Sequence, residues 1–245
     1  MISELFDAFI YDPLYNALAF IVGVIPGGDI GIAIVLLTVL VRILLFPISA
    51  GATRTQMEMQ ELNPQLTELK EKLKNNREEL AKKTMELFKE RKVNPFASII
   101  LVLIQIPIIL GLYFVFRNEG VAGSFDPTLL YSFVSLPAEV SSLFLGLIDL
   151  TEKSLVLAVL VGVSQLFYSL LTVPAAPPKP TGNSFRDDMA RSMNIQMRYV
   201  LPVVFGFIAY AISAAVALYF VASNIFGIVQ TYAMKKMHHG HRHDN

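Results

Sequence analysis

The chain has no cysteine and no tryptophan, and its four histidines all lie at or beyond His238. Without thiols there is no disulfide framework, no cysteine nucleophile and no cysteine-type zinc site, and nothing marks the redox compartment. Without tryptophan, any interfacial aromatic belt has to use tyrosine and phenylalanine. No G-x-x-x-x-G-K-[ST] loop is present to cradle a nucleotide. Charge is also scarce: 16% of the residues are charged and 54% are hydrophobic, with a mean hydropathy of +0.54. That balance is too apolar for a water-soluble domain of 245 residues, and the apolar residues fall in blocks. The chain reads as an all-α integral membrane protein.

About 20 residues cross a bilayer as a helix. Blocks at 30–50, 96–117 and 154–173 each fit one crossing, whereas 199–234 is too long and divides near Ser213 into 199–213 and 214–234. Five transmembrane helices result. The stretch 118–153 contains Pro137 and Glu139 and scattered polar residues, and reads as an external loop with an interfacial segment. The N-terminal 1–29 carries acids, no base and Pro13, unlike the basic start of a signal peptide, and reads as an external interfacial amphipathic segment.

Charge orients the helices. The intervals 51–95, 174–198 and 235–245 together carry a net charge of +6, while 1–29 and 118–153 together carry −8. Excess Lys and Arg marks the cytoplasmic side, and five crossings put all three basic intervals there, with the N-terminus outside and the C-terminus inside. In 51–95, Leu62, Leu66, Leu69 and Leu73 recur at helical spacing; beyond Lys74-Asn75-Asn76, Leu80, Leu87 and Phe88 form a second face. This predicts a cytoplasmic helical hairpin. Its mixed charge gives no case for sequence-specific nucleic-acid binding. The plainer reading is a solvated linker.

Arg42 is the one charge in the interior of a predicted span, in IGIAIVLLTVLVRILLFPI; Arg117 stands at the very end of 96–117. A guanidinium at membrane depth costs roughly 2.5–3.5 kcal/mol on insertion scales and is expected to face a wet cavity or a partner. It lies about 18 Å from Ile30 along a helix, too deep for simple snorkelling. Thr38 shares its helix face, and Gln105, Gln165 and Ser223 sit at mid-depth in other spans.

TVLVRILLFPIS, NPQLTELKEKL, ERKVNPFASIILVLIQIPIILGLYFVF and LPVVFGFIAYAISAAVALYFVASN follow one another in an order that resembles the core of the YidC/Oxa membrane protein insertases. The resemblance covers roughly Leu14 to Met234 and implies a compact form of the family without a large external domain. It implies an insertase, not an enzyme, in a bacterial cytoplasmic membrane, with Arg42 in a hydrophilic groove open to cytoplasm and lipid. Nascent membrane proteins and the bilayer are the implied partners, with the ribosome and a Sec-type translocon as further candidates; no cofactor and no metal is expected. Pro47, Asn94, Pro95, Pro107, Pro202, Tyr219 and Asn224 match structural positions of the family's motifs. Two departures stand out. Ile212, Ser213 and Ala214 replace the usual Pro-x-Gly break, and Phe220 replaces a common tryptophan.

Each residue also has a plainer reading. Arg42 could bind a lipid phosphate or cap another helix's carbonyls, and intramembrane Gln, Ser and Thr are often interhelical glue. Met57, Met59, Met189, Met193 and Met197 offer adaptable apolar contacts or ordinary packing. The His-rich tail is best read as a disordered or added tail, with metal binding as the alternative. A small-solute transporter or channel is the competing function, but no internal repeat is visible. A hydrolase has no nucleophile with a base in any span.

Overall fold

The computed structural model describes residues 2–73, 76–91, 93–94, 97–116, 124–173 and 185–243. Its elements are α1 (Ile2–Phe6), a π-helical turn (Asp7–Tyr11), α2 (Asp12–Val24), α3 (Ile30–Leu44), α4 (Phe46–Lys72), α5 (Arg77–Glu90) and α6 (Ala97–Val115). Strands β1 (Leu143–Phe144) and β2 (Ile148–Asp149) follow, then α7 (Leu155–Thr172), α8 (Phe185–Ile195), a π-helical turn (Gln196–Val200), α9 (Leu201–Ala211) and α10 (Ala214–His243). Residue contacts divide the chain into two units, Met1–Leu44 with Gln105–Val229 and Leu45–Ile104 with Gln230–Asn245.

Among the described residues, Ser3–Val24, Leu155–Thr172 and Ala214–Met237 are helices long and apolar enough to cross a membrane. Ile30–Leu44 and Phe46–Leu69 qualify as a fourth span only as a pair broken at Leu45. The N-terminal stretch, expected in the interface, thus has the length and apolarity of a span. The helix expected over 30–50 ends early: Pro47 stands in the first turn of α4, where its missing N–H leaves no donor for the carbonyl four residues back. The expected tail is also different, since α10 runs on to His243.

In the first unit, Tyr15, Leu18, Ile30, Ile34, Leu37, Leu112 and Val161 are fully buried, and the first seven residues of α10, Ala214–Phe220, are all buried too. Helices α7 and α9 approach closely because small residues line their contact. A Cβ on Gly206 would stand 3.2 Å from the Ala158 carbonyl oxygen and 3.6 Å from Gly162 Cα. Such small-residue crossings let backbones pack where lipid removes the hydrophobic drive between helices.

In the second unit, α4 and α5 pack through Leu62, Phe88 and Val93, with Met59, Leu66 and Leu87 against them. Asn76 caps the α5 N-terminus: its side-chain oxygen accepts from the Glu79 backbone amide at 3.2 Å, and its side-chain NH2 donates to the Glu79 carboxylate at 2.9 Å. Where α4 leaves Pro47, Gln230 donates to the buried Ser49 hydroxyl at 2.9 Å.

The segment from Ser124 to Lys153 is a folded cap on the first unit. Asn16 is buried; its amide donates to the carbonyls of Asp12 (2.9 Å) and Leu129 (3.0 Å) and its oxygen accepts from the Tyr131 amide (2.6 Å). The Tyr15 hydroxyl accepts from the Asp126 amide at 2.6 Å. Asp29 caps α3 through Gly31 (2.8 Å) and Ile32 (3.0 Å), and its other carboxylate oxygen accepts from Leu145 at 2.8 Å. Gly28, at φ +59°, passes so close to Glu139 that a Cβ would overlap its carbonyl. The cap also explains how the chain breaks between α9 and α10 without Pro-x-Gly. Ile212 leaves helical geometry (φ −92°, ψ −93°), and the freed first amides of α10, Ala214 and Ala215, donate to the carbonyls of Glu152 (2.9 Å) and Leu150 (3.2 Å).

Asn16→Leu is expected to cost about 1–3 kcal/mol, because it leaves the Leu129 carbonyl and the Tyr131 amide unpaired; thermal unfolding in detergent, with hydrogen exchange at Tyr131, checks it. Asp126 and Asp149 are held below the usual carboxylate range by hydrogen bonds from the Thr128 and Thr151 hydroxyls first and their amides second. A carboxyl with a depressed folded-state pKa stabilises above its unfolded value and loses that contribution as pH falls through the folded one. The cap is therefore expected to hold from neutrality to about pH 4 and to loosen below it. Amide exchange at Thr128 and Thr151, followed against pH, reads this directly.

Candidate intramembrane polar site

Arg42 stands in the last turn of α3, not in mid-helix as the 30–50 reading implied, because the helix stops at Leu44. A cation there meets the unsatisfied carbonyls and partial negative charge of the helix C-terminus. Its side chain is half-buried, and Leu40, Ile43 and Leu44 beside it are exposed apolar residues. The guanidinium donates twice to the Ser223 hydroxyl on α10, from Nε at 3.0 Å and from Nη2. Ser223 also hydrogen-bonds with Tyr219, one turn earlier on α10, and the Tyr219 hydroxyl accepts from Gln105 on α6. A polar chain thus runs from α3 through α10 to α6: Arg42, Ser223, Tyr219, Gln105.

The partner of Arg42 is neutral. On α4 and α5, Arg54–Glu58, Lys72–Glu68 and Lys83–Glu86 form ion pairs. A hydroxyl orients the guanidinium and satisfies two of its five N–H groups without cancelling its charge. The positive field stays available to a third group.

The remaining sequence-predicted residues fall out differently. Thr38 is buried, and its hydroxyl donates to the Ile34 carbonyl of its own helix at 2.6 Å. It shares the face of Arg42 but its polarity is already used. Gln165 is half-buried on α7 outside the Arg42 chain, while its neighbour Ser164 accepts from Asn224 of α10 at 3.1 Å. Pro107 lies within α6, two residues past Gln105, and Pro202 is buried at the start of α9. Pro47 opens α4, Asn94 is exposed, and Pro95 lies outside the described residues. Sequence reasoning treated Tyr219 as structural and passed over Ser164. The i, i+4 spacing of Tyr219 and Ser223 was the available signal for the first; a serine beside a glutamine on an apolar helix offers none for the second.

Of the methionines, Met57 meets Met234 and Met237 in a cleft of about 610 Å³ in the second unit, rimmed by Arg54, Glu58 and Arg91. Met59 packs in the α4–α5 cluster, and Met189, Met193 and Met197 are exposed on α8 and the turn after it. Among the described residues no group of His, Asp or Glu is placed to hold a metal ion.

The chain matches the family model described as "60Kd inner membrane protein" over residues 21–241. It is 31% identical to "Membrane protein insertase YidC" of Clostridium tetani over 217 residues, 88% of this chain and 86% of that protein. It is 30% identical to the protein of the same name from Fusobacterium nucleatum, over 94% of this chain and 98% of the relative. The namesake from Saccharophagus degradans is 30% identical across 93% of this chain, which spans only 36% of that longer protein. A match of this length and identity places the chain in the 60Kd inner membrane protein family, the YidC/Oxa family that its sequence resembles.

Proposed function

We propose that this chain inserts hydrophobic segments of nascent membrane proteins into the bilayer, the activity for which its relatives are named. The observation that carries the proposal is Arg42: a half-buried cation among apolar helices, held by a serine and left without a carboxylate partner among the described residues. We propose a hydrophilic groove around it, open to cytoplasm and lipid, with Ser223 and Gln105 as polar wall and Tyr219 as its support. Thr38 and Gln165 then flank the groove as packing residues. In this reading the bilayer is crossed by five helices with the N-terminus outside, the α4–α5 hairpin lies in the cytoplasm, and the membrane is a bacterial cytoplasmic one. The ribosome and a Sec-type translocon are proposed as further partners, reached through the hairpin and the loop 174–198.

A guest segment supplies the energy itself. Each strongly apolar residue gains about 0.3–0.6 kcal/mol at the bilayer centre, so a whole span gains several. An acidic tail drawn outward gains about 2.3 kcal/mol per charge per 100 mV when the outside is positive. Arg42 lowers the barrier for such a tail by offering its field where water is scarce, since a charge–charge attraction grows as the effective dielectric falls.

Purified protein in liposomes is expected to insert a small single-span client without ATP, and solute flux without client insertion would favour a transporter instead. Arg42→Ala is expected to slow clients with acidic tails by about tenfold, as loss of one charge-assisted contact of roughly 1.5 kcal/mol requires, and to affect wholly apolar clients little. Arg42→Lys keeps the charge and gives up only the fork, so it is expected to retain most activity. Equal impairment of all clients by Arg42→Ala would assign the residue to structure alone.

A further inference from the structure

The β1–β2 hairpin carries an apolar tip that the fold aims and leaves bare. Leu143, Leu145 and Leu147 alternate along it and are 46%, 61% and 83% exposed. The residue between the last two, Gly146, is at φ +71°, as a tight turn commonly requires, but Leu145 itself is at φ +53°, a left-handed conformation that L side chains avoid. An exposed turn facing only water would be served better by glycine or asparagine there. The conformation is held from both sides. The Leu145 amide donates to Asp29, and the Phe144 ring packs on Gly31 so tightly that a Cβ there would stand 2.3 Å from it.

That packing sets the depth of the tip. Gly31 belongs to the first turn of α3, so the hairpin lies beside the start of that helix. β2 is followed within six residues by α7, whose opening residues Leu155 and Val156 are already 67% and 63% exposed. Leucine and valine left bare at the first turn of a membrane-length helix suit contact with acyl chains. The polar groups of the hairpin turn away from the tip: the Ser141 backbone pairs with Gly28 and Ile30, and Asp149 is engaged by Thr151.

We propose that the three leucines insert into the lipid at the headgroup–acyl boundary and anchor the cap in the membrane. The occupant of this apolar surface is lipid, because the hairpin packs at the first turn of α3 and stands six residues before α7, whose own opening residues are apolar and bare. Naming the leaflet as the outer one rests on the five-helix orientation proposed above; the insertion itself does not.

With no tryptophan in the chain, one substitution gives a unique fluorophore. Leu147→Trp, in the full chain reconstituted into phosphatidylcholine vesicles, is expected to emit to the blue. Lipids brominated near the headgroup end of the chain should quench it severalfold more than lipids brominated near the methyl end, as a side chain seated about 5–10 Å into the boundary requires. Leu143→Trp is the second probe and is expected to behave alike. Leu145→Gly, which removes one leucine and frees the backbone, is expected to reduce the quenching of Trp at 147 without unfolding the chain. Water-like emission without quenching at both probes overturns the proposal; blue emission that bromine does not quench also overturns it, by showing that protein covers the tip. The readout uses no client, so its failure and a failure of insertion are separate results.

Discussion

A guanidinium has to be hydrated or hydrogen-bonded wherever it sits, and the first unit is arranged around meeting that need at Arg42 with a neutral partner. Two donations to Ser223 fix the side chain at the end of α3. Because Ser223 shares a face of α10 with Tyr219, and Tyr219 accepts from Gln105, the same contact ties three helices together. A carboxylate in place of Ser223 would bind more strongly and would also cancel the charge. The serine holds the arginine in place and leaves its field uncompensated, as the proposed reception of a transient acidic group requires.

Backbone bonding imposes the second constraint. In lipid, each amide and carbonyl has to be satisfied within the protein. Regular helices do this alone except at their ends, and the cap at 124–153 serves two of those ends, the starts of α10 and α3. It contributes carbonyls to the first amides of α10, shares Asp29 with the start of α3, and is pinned to α2 by Asn16. The break between α9 and α10 therefore needs neither proline nor a glycine turn. At the opposite end of α3, Pro47 does the breaking, and the polar pair Ser49–Gln230 satisfies side chains where α4 departs.

Much of this was legible in the residues. Composition and block hydropathy give the helical membrane class, Leu62, Leu66, Leu87 and Phe88 do form the contact between α4 and α5, and Arg42 and Ser223, which stand out as polar residues in apolar blocks, do meet. Several features were not legible. The block 30–50 reads as one span with Pro47 inside it, whereas α3 stops at Leu44 and Pro47 opens α4; nothing in the sequence shows that the Thr38 hydroxyl bonds its own backbone; and 118–153 reads as an external loop, with no sign that 124–153 is tied into a hydrogen-bonded cap. Each miss has the same origin, since a polar atom in the sequence does not show which partner, one turn away or a hundred residues away, will take its hydrogen bond.

The sequence by itself determined the solvent and the chemistry. Long apolar blocks can be buried only in lipid, a chain without cysteine forgoes thiol chemistry, and one arginine in an apolar run demands a polar neighbour. Tertiary structure alone decided who that neighbour is. Whether Arg42 meets a carboxylate, a lipid or a serine 181 residues further along depends on helix rotation and register, and these follow from side chains packing across helices: Gly206 against Ala158, Phe144 on Gly31, Asn16 under Tyr131. Such contacts are many-body and non-local, so no window of sequence contains them.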